Sequence, residues 1–217
     1  MAKSLIVQPL FWFVSALHVL GLVFENELLR LITKPFIILL LIVLYLASIN
    51  ERSKLYILAL VFSFLGDVLL MWSGEIFFIL GLISFLLAHL TFIKIITSKI
   101  KKTTIKSLLK SIIPFGVFLV LLQSVLFPHL DEMKIPVIIY GTVISIFGIT
   151  ASIRCLEQRN KQTLLLLIGA IVFAISDSVL AINKFYYSAH FLEITVMITY
   201  ILAQYLIFRS MIFKKNN

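Results

Sequence analysis

The sequence predicts an all-α, polytopic membrane protein with eight transmembrane helices and one transmembrane domain covering residues 1–217. Three observations carry this. Hydrophobic residues make up 61% of the 217 positions and charged residues only 13%, against about 45 to 50% and about 25% in soluble domains. The mean hydropathy is +1.12. At roughly 20 apolar residues per crossing, eight spans consume about 160 positions and leave only short loops, which excludes a separate soluble domain.

Apolar runs between charged or Gly/Pro breaks place the spans at residues 5–24, 34–49, 55–72, 76–96, 107–127, 135–153, 163–183 and 188–211. The first follows Lys3 and resembles a signal peptide, but no small-residue cleavage site follows and further spans do, so it reads as a membrane helix. The second opens at Lys34 and Pro35, a proline suited to a first helical turn. In the sixth, Gly141, Ser145, Gly148 and Ser152 fall at helical spacing, a face on which small side chains let a neighbouring helix come close. The third and seventh carry an echo: Gly66-Asp67-Val68-Leu69-Leu70 returns as Ser176-Asp177-Ser178-Val179-Leu180. With four helices between them, the echo suggests two parallel four-helix halves.

Cation placement orients these spans. Of the 19 Lys and Arg, 15 fall on the side that holds both termini, including the run Lys99, Lys101, Lys102, Lys106 and Lys110, and only Arg30, Lys34, Lys134 and Lys184 fall on the other. The positive-inside rule then puts both termini in the cytoplasm of a cell-membrane protein. The same asymmetry explains the formal charge of +9 as orientation and contact with anionic lipid rather than nucleic-acid binding. The lone Cys155 offers neither a disulfide nor a cysteine zinc site.

An ionisable side chain in the hydrocarbon costs at least about 2.5 to 3.5 kcal/mol, so each marks a functional hypothesis. Asp67 and Asp177 lie about 20 and 24 Å beyond Lys54 and Lys161, and Glu193 about 8 Å into span eight. All three therefore stand at one level near the outer side, where they could share a cavity. The competing explanation for each aspartate is a packing hydrogen bond or ion pair. His89 lies about 21 Å beyond Glu75, some 10 Å deeper than the aspartates, and a satisfied structural histidine is its alternative reading. Glu193, Met197, Tyr200 and Gln204 share one face of span eight, a cavity wall or an interhelical hydrogen-bonding stripe. Lys34 at the mouth of span two could meet a phosphate as a point charge or simply snorkel. His18, His129 and His190 sit near the outer boundary or in loops with no i, i+4 histidine pair, so an HExxH metal site is absent. A mixed metal site from Asp67, Asp177 and His89 stays open.

Phe62-Ser63-x-x-Gly66-Asp67-x-x-Leu70, Phe78-x-x-Gly81-x-x-x-Phe85-x-x-Ala88-His89 and Gly169-Ala170-x-x-Phe173-x-x-Ser176-Asp177-x-x-Leu180-Ala181 together resemble the YhhN family of integral membrane lysoplasmalogenases. Thr33-Lys34-Pro35 and Tyr200-x-x-x-Gln204 fit the same pattern, and one departure is Phe92, where many relatives are expected to carry Tyr. The resemblance implies hydrolysis of the vinyl ether of a lysophospholipid substrate in the bilayer to a fatty aldehyde and a glycerophospho-ethanolamine or -choline. That reaction needs an acid and a base at one locus, and the expectation from the residues is that Asp67 and Asp177 supply them in an order left open, with His89 beside them in catalysis, Lys34, Glu193, Tyr200, Gln204 and Ser63 binding substrate, and no organic cofactor. Two competing classes follow from the intramembrane acids alone: a proton-coupled transporter, opposed by the scarcity of Gly/Pro breaks at midspan, and a metal-dependent lipid amide or ester hydrolase.

Overall fold

A computed structural model describes residues 2–213, with side chains from residue 4 onward. Lys3, Lys214 and Lys215, three members of the cation count, lie outside the described side chains. The described chain is helical throughout: α1 (Ala2–Val23), α2 (Glu27–Ser48), α3 (Lys54–Leu69), α4 (Glu75–Thr97), α5 (Ile105–Leu126), α6 (Lys134–Gln158), α7 (Lys161–Phe185) and α8 (His190–Ile212), with two short 3-10 turns between α5 and α6. Seven of these are long and apolar enough to cross a membrane, and α3, at 16 residues, is the short one. With backbone donors and acceptors satisfied inside each segment, helices are the form such apolar runs take where water is absent. This is a multi-pass membrane protein.

Local chemistry sets the helix ends. Asn26 caps α2 through its side-chain oxygen, which accepts from the Leu29 amide at 3.0 Å, Ser53 and Thr104 cap α3 and α5 in the same way, and Asn160 forms a capping box with Thr163 on α7. Asn26 also corrects the expected start of span two. Helix α2 begins at Glu27, one residue beyond the cap, so Pro35 lies inside the helix and Lys34 stands about 10 Å along it. Arg30, Lys34 and Pro35 imitate a loop to a hydropathy reading, yet long cationic side chains can lie along a helix, and a single proline removes only one backbone donor from it. Arg154, one of the 15 cations on the side of the termini and just beyond the expected end of span six, likewise sits inside α6, buried at 7% exposure.

The described chain divides into two compact units, residues 2–91 together with 211–213, and Phe92–Ser210. In the first, α1 and α2 form an antiparallel hairpin turned through Glu25, whose φ of 53° is left-handed. His18 lies opposite Thr33, and Gly21 is packed by Leu29 and Arg30. Helices α3 and α4 also pair: a Cβ on Gly66 would come within 2.6 Å of the Phe85 ring, and one on Gly81 within 2.7 Å of Leu70. In the second unit the small-residue face of α6 receives α5 as its spacing predicts. Gly148 accepts the Phe115 ring, Gly141 meets Leu119 and Gln123, and the hydroxyls of Ser152 and Ser111 are hydrogen-bonded at 2.9 Å. Helix α8 lies on α7, with Gly169 against Ala203 and Ile207 and the Ser176 hydroxyl donating to the Val196 carbonyl at 2.9 Å.

Candidate functional site

In the first unit Asp67 is 4% exposed on the buried face of α3, one helical turn beyond Ser63. The pairings Gly66 with Phe85 and Leu70 with Gly81 fix the antiparallel register of α3 and α4. In that register Asp67 stands level with Ser84, and His89 comes five residues later, about 8 Å deeper and level with Ser63. All four side chains are buried. Ser63 and Ser84 give their hydroxyl protons to carbonyls of their own helices, Ala59 at 3.0 Å and Leu80 at 2.9 Å. Toward any visiting molecule both hydroxyls can therefore only accept.

Lys34 is half-buried on α2, next to the buried Thr33. Thr33 donates to the Leu29 carbonyl at 2.6 Å and lies 2.9 Å from Nδ1 of His18. His18 stands five residues before the end of α1 and is buried at 1% exposure. A histidine inside an apolar helix was the available signal, and its nearness to the end of span one obscured it.

In the second unit Asp177 is half-buried on α7, and its Oδ2 accepts from the Tyr140 hydroxyl of α6 at 2.5 Å. Sequence reasoning missed Tyr140. A tyrosine in an apolar span usually finds a partner for its hydroxyl, but nothing in the sequence connects it to an aspartate 37 positions away. Tyr200 on α8 is near enough to Tyr140 to interact with it electrostatically. Its ring packs edge-on against Phe173 with centroids 5.6 Å apart, and its hydroxyl receives the Gln204 amide at 3.4 Å. Met197, Tyr200 and Gln204 are buried, and Glu193 is half-buried in the first turn of α8, where the helix dipole favours a carboxylate.

The second unit therefore gathers Asp177, Tyr140, Tyr200 and Gln204 into a polar string. Ser176 and Val196 fix the register of α7 and α8, so Asp177 stands level with Thr195. Glu193 then lies about 3 Å to one side of that level, and Tyr200 and Gln204 lie about 8 and 13 Å to the other. Oε1 of Gln204 is buried without a hydrogen-bond partner. Phe92, the departure from the expected tyrosine, is fully buried and stacked on Phe147 at 5.5 Å. Among the described residues no group of three or more His, Cys, Asp or Glu side chains is placed to hold a metal ion.

Chemically, each unit offers a carboxyl group inside an apolar span, the first on a level with Ser84 and the second hydrogen-bonded by the Tyr140 phenol. Comparison with known proteins agrees with the motifs. The chain is similar to proteins named lysoplasmalogenase from Mycobacterium bovis and Mycobacterium tuberculosis, each 29% identical over 174 residues, covering 77% of this chain and 64% of theirs. It thus spans less than two thirds of the length of these relatives. No solved structure matches the chain. The YhhN family model matches residues 29–211, nearly the whole of α2 through α8, and the chain belongs to the YhhN family.

Proposed function

We propose that this protein is a lysoplasmalogenase-like hydrolase that cleaves the vinyl ether of a 1-alkenyl lysophospholipid to a fatty aldehyde and glycerophosphoethanolamine or glycerophosphocholine. The observation that carries this reading is an aspartate at the same motif position in two apolar helices, α3 and α7, within a family some of whose relatives bear that name. A carboxyl group kept where charge is expensive points to proton chemistry.

The reaction needs such chemistry. A proton is added to the distal vinyl carbon, the double-bond electrons shift, and the carbon attached to oxygen becomes an oxocarbenium ion. Water adds to that carbon and loses a proton to a base. The resulting hemiacetal breaks its bond to the glycerol oxygen, which takes up a proton from the acid while the hemiacetal hydroxyl gives its proton to the base, leaving aldehyde and alcohol. One acid and one base suffice, and the net consumption is one water. In this proposal Asp67 and Asp177 supply them, and a carboxylate also stabilises the cation as it develops. Tyr140 orients Asp177. His89, Tyr200 and Gln204 orient water or the glycerol hydroxyl, Ser63 accepts a substrate hydrogen bond, and Lys34 meets the phosphate while Glu193 meets a cationic head group.

The test is aldehyde release by the purified full-length chain in detergent from a lysoplasmalogen, alongside saturated-ether and acyl lysolipids. Release from the vinyl ether alone is expected. No release from any of the three, together with solute flux in proteoliposomes, would replace the hydrolase with a transporter.

A further inference from the structure

The end of the second unit where α4 finishes, α5 starts and α6 finishes has a feature that the proposed hydrolysis does not use. Arg154 is buried at 7% exposure, and its Nη1 is inaccessible and finds no hydrogen-bond partner. A guanidinium carries five donors, and a buried Nη1 without a partner leaves its share of them unsatisfied beside a charge.

Register places a second cation opposite it. The rings of Phe92 and Phe147 stack at 5.5 Å, and seven residues on, two helical turns along each chain segment, come Lys99 and Arg154. The backbone still turns at Lys99, whose amide donates to the Ile96 carbonyl at 3.0 Å. The Lys99 ammonium is pushed below the ordinary lysine range, first by partial desolvation and then by the Arg154 charge. Two like charges held together are unfavourable unless something negative joins them.

The chain itself supplies little. From residue 94 to residue 110 it holds six lysines and no acid. The nearby carboxylate, Glu157, keeps its Oε1 buried and without a hydrogen bond. The α5–α6 register set by Ser111 with Ser152 and by Phe115 with Gly148 puts Glu157 level with Lys106 and Arg154 level with Leu109.

We propose that Arg154 and Lys99 form a phosphate-binding site, taking a phosphate ester carried by an anionic phospholipid headgroup or by a soluble phosphate compound. Arginine presents a planar fork that matches two phosphate oxygens, and lysine adds a point charge. The site is separate from Asp177 and Tyr140, which meet toward the opposite ends of α7 and α6. Its occupant is a tightly held lipid or anion rather than the hydrolysed substrate, so the proposal does not depend on the hydrolase reading.

The experiment measures lipid retention by the full-length chain in neutral detergent, by native mass spectrometry, with dioleoyl phosphatidate and dioleoyl phosphatidylcholine as probes. Wild type should hold phosphatidate about tenfold more tightly than phosphatidylcholine, and Arg154→Gln and Lys99→Gln should each erase that preference, the loss expected for a charge-assisted contact. Millimolar inorganic phosphate then separates the two sources. Displacement of phosphatidate assigns the site to soluble phosphates, and retention assigns it to the headgroup. Lys99 is exposed, so Lys99→Gln decides the matter even should Arg154→Gln fail to fold. Unchanged preference in Lys99→Gln would overturn the proposal. So would a preference that appears only in Glu157→Gln, because Glu157 would then be the counter-ion of Arg154.

Discussion

The hairpins α3–α4 and α7–α8 are two solutions to one geometric problem. In each, the residue before the aspartate clamps the next helix, and in each the register is the same: Gly66 meets Phe85, Ser176 meets Val196, and four residues further on stand His89 and Tyr200. The materials differ. Gly66 admits a phenyl ring flat against the backbone, so that clamp is dry, whereas Ser176 closes with a hydrogen bond to a carbonyl. The aspartates differ in burial. Asp67 is 4% exposed, while Asp177 is half-buried and receives a phenol proton. Equal motifs in unequal surroundings teach that an acid's burial and partners, more than the motif carrying it, decide what it can do, and the proposed hydrolysis uses that difference to take an acid and a base from a repeated sequence.

The strongest way to break this comparison is to neutralise each aspartate in turn. Asp67→Asn and Asp177→Asn should each lower aldehyde turnover by about 10² to 10⁴-fold, the usual weight of a general acid or base, with the helical circular dichroism unchanged. Wild-type turnover in either variant would leave that aspartate structural and end the two-acid mechanism. Tyr140→Phe sharpens the contrast, because it removes a hydrogen bond to a carboxylate in one hairpin only. A bond of this kind contributes about 1.5 to 3 kcal/mol, so turnover should fall roughly 10 to 100-fold and its pH profile should shift. A fall in turnover with an unmoved profile would mean that Tyr140 only packs.

The helical fold was legible because apolar runs of membrane length admit few alternatives, and the small-residue face of α6 announced a close helix contact without naming the helix that makes it. The start of α2 was not legible, because Arg30, Lys34 and Pro35 each resemble a break when scored singly, whereas the Asn26 cap that sets the boundary is one residue in a polar turn. In the candidate site, Asp67, Asp177 and His89 stood out because charge is rare in hydrocarbon. Tyr140 and His18 did not. Tyrosine counts as hydrophobic in any composition, and its hydroxyl acquires meaning only when α6 brings it to Asp177. His18 needed the α1–α2 pairing that delivers Thr33.

The smaller effects test the clamps themselves. Gly66→Ala would set a Cβ 2.6 Å from two ring carbons of Phe85, too close for any real contact, so the ring must move or the helices part. Overpacking of this kind costs about 1 to 3 kcal/mol, to be read as a lower thermal midpoint in detergent. The double variant Gly66→Ala, Phe85→Leu should recover part of the loss, which a general intolerance of alanine on α3 would not allow. Ser176→Ala in the other hairpin removes one hydrogen bond and leaves the Val196 carbonyl with its own helical donor, so the cost should be only about 0.5 to 1.5 kcal/mol. If Ser176→Ala proves the costlier of the two, the polar clamp rather than the dry one carries the tighter joint. Ser176 would then hold α8, and with it Tyr200 and Gln204, against α7 at the level where Asp177 sits.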